Sequence, residues 1–309
     1  EEYEDGLSAL HQPLGALYSD SNLHMPPWID RPCALQWQDG AAGIELLGPE
    51  NLGMSVNGSE PYRLARGIVE PSAAASVWRS FDPDPPEPPA DVPAVELIFS
   101  GAGLARVSIP GTSRAPIGGA LVRLLGDLAL PWLEWREHPS ERPFPAWDLQ
   151  LHTSRSSPLA WAVAGGPRII QDGRIVPTGL ALDPVFAGEF RPEGPPPTRF
   201  PYDADATRGP RTAIGIDAEG GWMLLVCDGR TSDEHSVGLT LEQLGRLMSA
   251  LGCSNALNLD GGGSSVMVIE GVGGLDQIAP GLSGGVVSLP SDPGGRERVV
   301  PVVLTVMLS

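Results

Sequence analysis

At 309 residues the chain can bury a sizeable core, and its length alone allows one or two domains. A formal charge of −18 and a pI near 4.5 argue against nonspecific nucleic-acid binding and against docking on anionic membranes. No stretch approaches the roughly 18 consecutive apolar residues of a membrane span, and all 20 basic residues are arginine, a bias that fits GC-rich bacterial coding and also suits bidentate phosphate recognition.

The first half reads as strand and turn. Short apolar runs recur at Ala94–Phe99, Ala105–Ile109 and Leu121–Leu125, separated by Gly and Pro. The Pro- and Asp-rich segment Phe81–Pro93 reads as an exposed loop, and Asn57-Gly-Ser59 fits a glycosylation acceptor. A second Pro-rich stretch, Gly188–Pro210, is either a lid or a surface loop. Beyond it, Ala213–Ile216 and Trp222–Cys227 are apolar strands, the second ending in Asp228-Gly229-Arg230. Thr240–Gln243 is a capping box. Leu241, Leu244, Leu247, Met248 and Leu251 then recur at helical spacing, and Gly252 is a stop.

Ala256 and Leu257 lead into Asn258-Leu-Asp-Gly-Gly-Gly-Ser-Ser265, followed by apolar Val266–Ile269. This predicts a buried strand, a triple-glycine turn and a second strand. Glycine allows positive φ and close approach of backbone to a ligand, so the turn is either a pocket rim or a plain hairpin. Side chains alternate along a strand, so Asn258 and Asp260 share a direction. A strand–helix–strand crossover makes its two strands parallel. Asp228 and Asp260 then lie at one sheet edge, where open sheets bind ligands.

Cys33, Cys227 and Cys253 are an odd count without metal spacing. Cys227 ends one expected strand and Cys253 begins the next, which leaves a disulfide open beside the expected reduced thiols. The five histidines form no ligand pair, and His235 reads as a solvated loop residue.

The order and spacing of several blocks resemble the phosphodiester glycosidase family. They are Ala164-Gly-Gly-Pro167 with Asp172-Gly-Arg174, Pro210–Gly215, Asp228-Gly-Arg230, Ser236–Leu241, Asn258–Ser265, and Pro290-Ser-Asp292 with Arg296–Val299. The match is strongest over 158–309 and traceable earlier at Pro13-Leu-Gly-Ala and Asp39-Gly40. The resemblance implies one α+β domain over 1–309, a mixed β-sheet with few helices. Two departures stand out. The family's Asn-Gly-Gly-Phe/Tyr-Phe segment is missing before Pro13, and Ser288 stands where Asn is common. The expectation is therefore that Glu1 does not begin a complete native domain, and that a sheet edge beside Asp260 lacks its neighbour.

What the resemblance implies is hydrolysis of a sugar-1-phosphate diester at the anomeric carbon. The leaving phosphate must be neutralised, the oxocarbenium-like sugar stabilised, and the carbon attacked by water or a carboxylate. Phosphate leaves readily, so electrostatics and positioning carry the reaction. Asp260 is the candidate general base or nucleophile, with Asp228 second. Arg211 and Arg230 are candidate phosphate or sugar contacts, with structural ion pairs to Asp228 or Asp260 as the alternative. Backbone N–H groups of Gly261, Gly262 and Gly263, with the Ser264 and Ser265 hydroxyls, can form an anion nest. Thr212, Asn258, Gly165 and Gly166 complete the expected substrate contacts. No cofactor and no metal are expected. The expected partner is a phosphorylated carbohydrate, with no nucleic acid and no membrane span, in a secreted or extracytoplasmic place. Two other classes stay open: a phosphoglycan-binding protein without turnover, and an envelope-assembly protein whose glycine loop only packs.

Overall fold

Nearly every apolar run becomes a strand. The computed structural model describes residues 15–80, 82–111, 113–116, 118–176, 207–231, 235–270, 285–292, 295–300 and 302–306. In chain order the strands are β1 (Leu17–Ser19), β2 (Asn22–Met25), β3 (Arg31–Trp37), β4 (Ala42–Leu47), β5 (Leu52–Val56), β6 (Tyr62–Arg63), β7 (Ala65–Arg66), β8 (Ala75–Arg79) and β9 (Ala94–Ser100). They continue as β10 (Gly103–Ser108), β11 (Gly119–Leu125), β12 (Trp147–Leu151), β13 (Leu159–Ala164), β14 (Arg168–Gln171), β15 (Arg174–Ile175), β16 (Arg211–Asp217), β17 (Trp222–Cys227) and β18 (Cys253–Asn258). Among the described residues the only α-helices are α1 (Leu130–Glu137) and α2 (Leu241–Ala250). The fold is thus mainly β-sheet with few helices.

The strands form four sheets, ordered β2-β1-β13-β3-β4, β10-β9-β11-β8-β7, β12-β5-β6 and β15-β14-β18-β16-β17. Alternation assigns the faces. In β3, Cys33, Leu35 and Trp37 pack on one side, while Ala34 points to the other. Ala34 and Val163 of the first sheet meet Ile214 and Leu257 of the fourth, so these two sheets stack face to face. The opposite face of the fourth sheet packs Ala213, Ala256, Ile169 and Ile170 against Leu241, Leu244 and Met248 of α2. A separate core joins the second and third sheets and takes in Trp132 of α1.

The capping box forms as expected. The Thr240 hydroxyl accepts the Gln243 N–H at 3.2 Å, and the Gln243 side-chain oxygen accepts the Thr240 N–H at 3.0 Å. Gly252, at φ +96°, lies just beyond the helix. Leu247 and Leu251 are exposed, and Gly245 takes a buried place on the packed face instead. Both β17 and β18 run antiparallel to β16, so they are parallel to each other with β16 between them. The expected crossover is present, with one strand inserted.

One expectation changes. Val266–Ile269 is not a strand: the chain makes a 3-10 turn at Gly262–Ser264, and only Val268 bridges, to Val286. β18 already has β14 and β16 on its two sides, so no position beside it is open for a returning hairpin. Val268 is 60% exposed as a result. The thiols are reduced, as expected: the end of β17 and the start of the parallel β18 lie at opposite ends of the sheet, so Cys227 and Cys253 do not meet. All three thiols are free. Burial pushes the Cys33 thiol up to about 12.

Segment 82–93 is mostly exposed, as expected of a loop. Most of the expected lid, residues 188–206, lies outside the described residues. Among those described, β17 bonds to β16 alone, leaving its outer edge unpaired.

Candidate active site

The antiparallel pairing sets Arg211 opposite Cys227 and Ala213 opposite Asn258. The start of β16 and the ends of β17 and β18 therefore share one sheet edge, and Arg211, Thr212, Asp228, Asn258 and Asp260 converge there. Gly165 and Gly166 brace the end of β18. The Gly166 N–H donates to the Asn258 carbonyl at 2.8 Å, and the Asn258 side-chain NH2 donates to the Gly166 carbonyl at 2.8 Å. A Cβ on Gly165 would stand 2.6 Å from the Asn258 carbonyl oxygen, so only glycine fits. The Asn258 side-chain oxygen is buried and has no hydrogen-bond partner among the described residues.

Asp260 is exposed one residue beyond Leu259, whose N–H is held by the Thr212 carbonyl at 2.9 Å. One Asp260 oxygen, Oδ1, accepts the Gly261 N–H at 2.9 Å. The Gly262 N–H donates to the Pro210 carbonyl at 3.2 Å. Two of the three N–H groups expected in an anion nest are thus engaged within the protein, one on Asp260 and one on Pro210. Ser265 is buried, and its hydroxyl accepts from that of Thr212 at 2.9 Å. Thr212 and Ser265 therefore fasten the turn to β16.

The Asp228-Gly229-Arg230 loop is packed backbone to backbone. A Cβ on Gly229 would lie 2.5 Å from the Pro210 nitrogen and 2.9 Å from the Gly238 Cα. Arg230 has φ +55°, a left-handed conformation unusual for a residue with a side chain. Its guanidinium lies over Gly209 and comes within 3.7 Å of where a Gly262 Cβ would stand. Arg211 instead donates from Nε to the Leu239 carbonyl at 2.9 Å and from Nη2 to the Thr207 carbonyl at 2.7 Å. Those bonds tie β16 to the loops on either side.

His235 is not simply a solvated loop residue. Its Nε2 is 3.2 Å from Asp228 Oδ2, while Asp228 Oδ1 accepts the Leu289 N–H at 2.8 Å. The loop after β17 folds back because the Ser236 hydroxyl donates to the Asp228 carbonyl at 2.6 Å, and this carries His235 to the carboxylate. No spacing rule signals that return. Arg298 and Asp292 were visible as motif residues but not as part of the site. They form a bidentate pair at 2.9 and 2.7 Å that occupies the space a Gly263 side chain would fill. The Asp292 hydrogen bond raises the Arg298 pKa, with a smaller contribution from the Asp260 charge. Among the described residues no group of three or more His, Cys, Asp or Glu side chains is placed to hold a metal ion, and no helix is long and apolar enough to cross a membrane.

A glycine turn carrying an exposed carboxylate lies beside two arginine side chains at one end of an antiparallel sheet, an arrangement able to meet a polar ligand with both charges. The sequence pattern of the phosphodiester glycosidases matches residues 140–307, and the chain belongs to that family. It is 38% identical over 78 residues to YomE, an uncharacterised SPbeta prophage-derived protein of Bacillus subtilis strain 168, covering 25% of this chain and 12% of that protein. It is 41% identical over 61 residues to mouse N-acetylglucosamine-1-phosphodiester alpha-N-acetylglucosaminidase, covering 20% of this chain and 11% of the mouse protein. The chain thus matches only a small part of either relative's length. The solved catalytic domain of the zebrafish enzyme of the same name aligns over 94% of this chain and 84% of its own, with a TM-score of 0.32 and 16% identity.

Proposed function

We propose that this protein is a hydrolase that cleaves a sugar-1-phosphate diester at the anomeric carbon, acting on a phosphorylated glycan or cell-surface polymer outside the cytoplasm. Family membership supports the reaction class. The observation that carries the proposal is an available carboxylate on the glycine turn with an available guanidinium, from the loop after β17, approaching Gly262 of that turn. Asp260 keeps its second oxygen without a hydrogen bond among the described residues, and Arg230 makes none there at all.

In this mechanism Arg230 holds the phosphodiester, and Asp260 acts on the anomeric carbon directly or through a water. As the carbon–oxygen bond breaks, its electron pair stays on the phosphate oxygen. Water attacks the carbon, either at once or by cleaving the Asp260–sugar ester that direct attack would form, supplies the new hydroxyl of the sugar and loses its proton to a carboxylate. Asp228 with His235 sets the polarity on the β17 side. Arg211, bound to two carbonyls, acts as a positioning residue. Asn258, Gly165 and Gly166 fix the height of the turn, and Ser264, its last residue, is a candidate ligand contact.

The mouse relative's name makes N-acetylglucosamine the first sugar to test. The full chain is incubated with methyl N-acetylglucosamine-1-phosphodiester and followed by proton and phosphorus NMR. Release of free sugar and methyl phosphate is expected. Saturable binding of such diesters without turnover would replace the hydrolase by a phosphoglycan-binding protein.

A further inference from the structure

We propose that Arg298, fixed by Asp292, is a second phosphate contact, one that reads the charge of the departing group and so favours phosphate over uncharged leaving groups. The role in catalysis rests on the hydrolase reading above; the anion site itself rests on geometry.

A guanidinium has five N–H donors in a planar fork. Arg298 uses Nε and one Nη2 hydrogen on Asp292, and among the described residues it makes no other hydrogen bond. Three donors remain, on a side chain that is 49% exposed. The bidentate grip fixes the plane of the group, so those donors are aimed before a ligand arrives, which lowers the entropic cost of binding. Arg298 Nη2 lies 2.5 Å from where a Gly263 Cβ would stand, and Arg230 Nη1 lies 3.7 Å from the same point on Gly262. Two guanidiniums from separate segments therefore attend neighbouring residues of one turn, just after Asp260. In a chain of net charge −18, such a pair is what an approaching anion requires.

The chemistry explains why two are useful. A phosphodiester carries one negative charge. When the sugar–oxygen bond breaks and its pair stays on phosphate, the departing monoester carries a second. Donors already in place gain most where charge develops, so the arginine pair stabilises the transition state more than the bound substrate.

The test uses calorimetry on the full chain with methyl phosphate and, separately, with the free sugar, for wild type, Arg298→Gln and Asp292→Asn. Wild type is expected to bind methyl phosphate. Arg298→Gln should weaken that binding by about tenfold or more, in line with loss of a charge-assisted bond, and leave sugar binding unchanged. Asp292→Asn keeps the guanidinium but loosens it, so it should give a smaller loss. If diester hydrolysis is found, Arg298→Gln should lower kcat more than it raises KM. No methyl phosphate binding by wild type, equal binding by folded Arg298→Gln, or equal loss for phosphate and sugar would overturn the proposal. If Arg298→Gln fails to fold, Asp292→Asn decides: unchanged methyl phosphate affinity overturns it. Absence of hydrolysis with intact phosphate binding would remove the hydrolase reading and leave the anion site standing.

Discussion

Gly229→Ala tests how tightly the loop bearing Asp228 and Arg230 is seated. The added Cβ would stand 2.5 Å from the Pro210 nitrogen, 2.6 Å from the Gly209 carbonyl carbon and 2.9 Å from the Gly238 Cα. Non-bonded atoms prefer about 3.5–4.0 Å, so the loop must shift by roughly 1 Å. All three contacts are backbone atoms, and no side chain can rotate away. Gly209 and Leu239 are also locked by reciprocal backbone bonds of 3.3 and 3.0 Å. Overpacking of this kind costs about 1–3 kcal/mol, and at about 2.1 cal/mol/K of unfolding entropy per residue a chain of 309 residues loses about 1.5 °C per kcal/mol. Thermal unfolding followed by circular dichroism should therefore show a drop of about 1.5–5 °C. A displacement of about 1 Å at a reacting group can cost about 10²-fold in rate, so diester hydrolysis should fall by about that factor. Gly40→Ala is the control. Gly40 has φ +88° with nothing within 4 Å of an added Cβ, so the alanine variant takes on backbone strain of about 1–2 kcal/mol without touching the site, and hydrolysis should hold. A Gly229→Ala chain with wild-type Tm and wild-type hydrolysis would refute the close-packed loop.

Asp260→Asn should keep the fold and lower hydrolysis by about 10²–10⁴-fold, the usual worth of a general base; near-wild-type rates at matched Tm would remove Asp260 from the reaction. Thr240→Ala removes the cap of α2 and should cost about 0.5–2 kcal/mol in urea unfolding, whereas an unchanged midpoint would mean the cap contributes nothing. His152 is held below its ordinary value of 6.5, first by burial and then by the charge of Arg63. The unfolded chain thus takes up a proton that the folded chain resists, so this group's contribution is full above pH 6.5 and declines as pH falls below it. His152→Gln should flatten that part of the stability–pH curve, and an identical curve would contradict the half-buried imidazole.

The crossover unit was legible in the sequence because its signals are local. The capping box at Thr240–Gln243, the leucine spacing and the apolar runs each depend on neighbours within one turn or strand, and together they placed Asp228 and Asp260 at one sheet edge. What stayed hidden depends on chain return. His235 reaches Asp228 through the Ser236 hydroxyl, and Arg298 reaches the Gly263 turn from thirty-odd residues downstream; no periodicity encodes either approach. The second strand expected after Ser265 failed for a tertiary reason. Val266–Ile269 has the composition of a strand, but both sides of β18 were taken by β14 and β16. Arg211 shows the opposite limit: its position at the start of β16 was readable, whereas its donation to two loop carbonyls was not.

Hydrolysis of the sugar-1-phosphate diester in H2(18)O distinguishes attack at the anomeric carbon from attack at phosphorus. Phosphorus NMR of the released phosphomonoester resolves the isotope shift of each bound heavy oxygen. An unlabelled phosphate is expected, because the sugar–oxygen bond breaks and the solvent oxygen goes to carbon. Heavy oxygen on the phosphate would place the attack at phosphorus and contradict it.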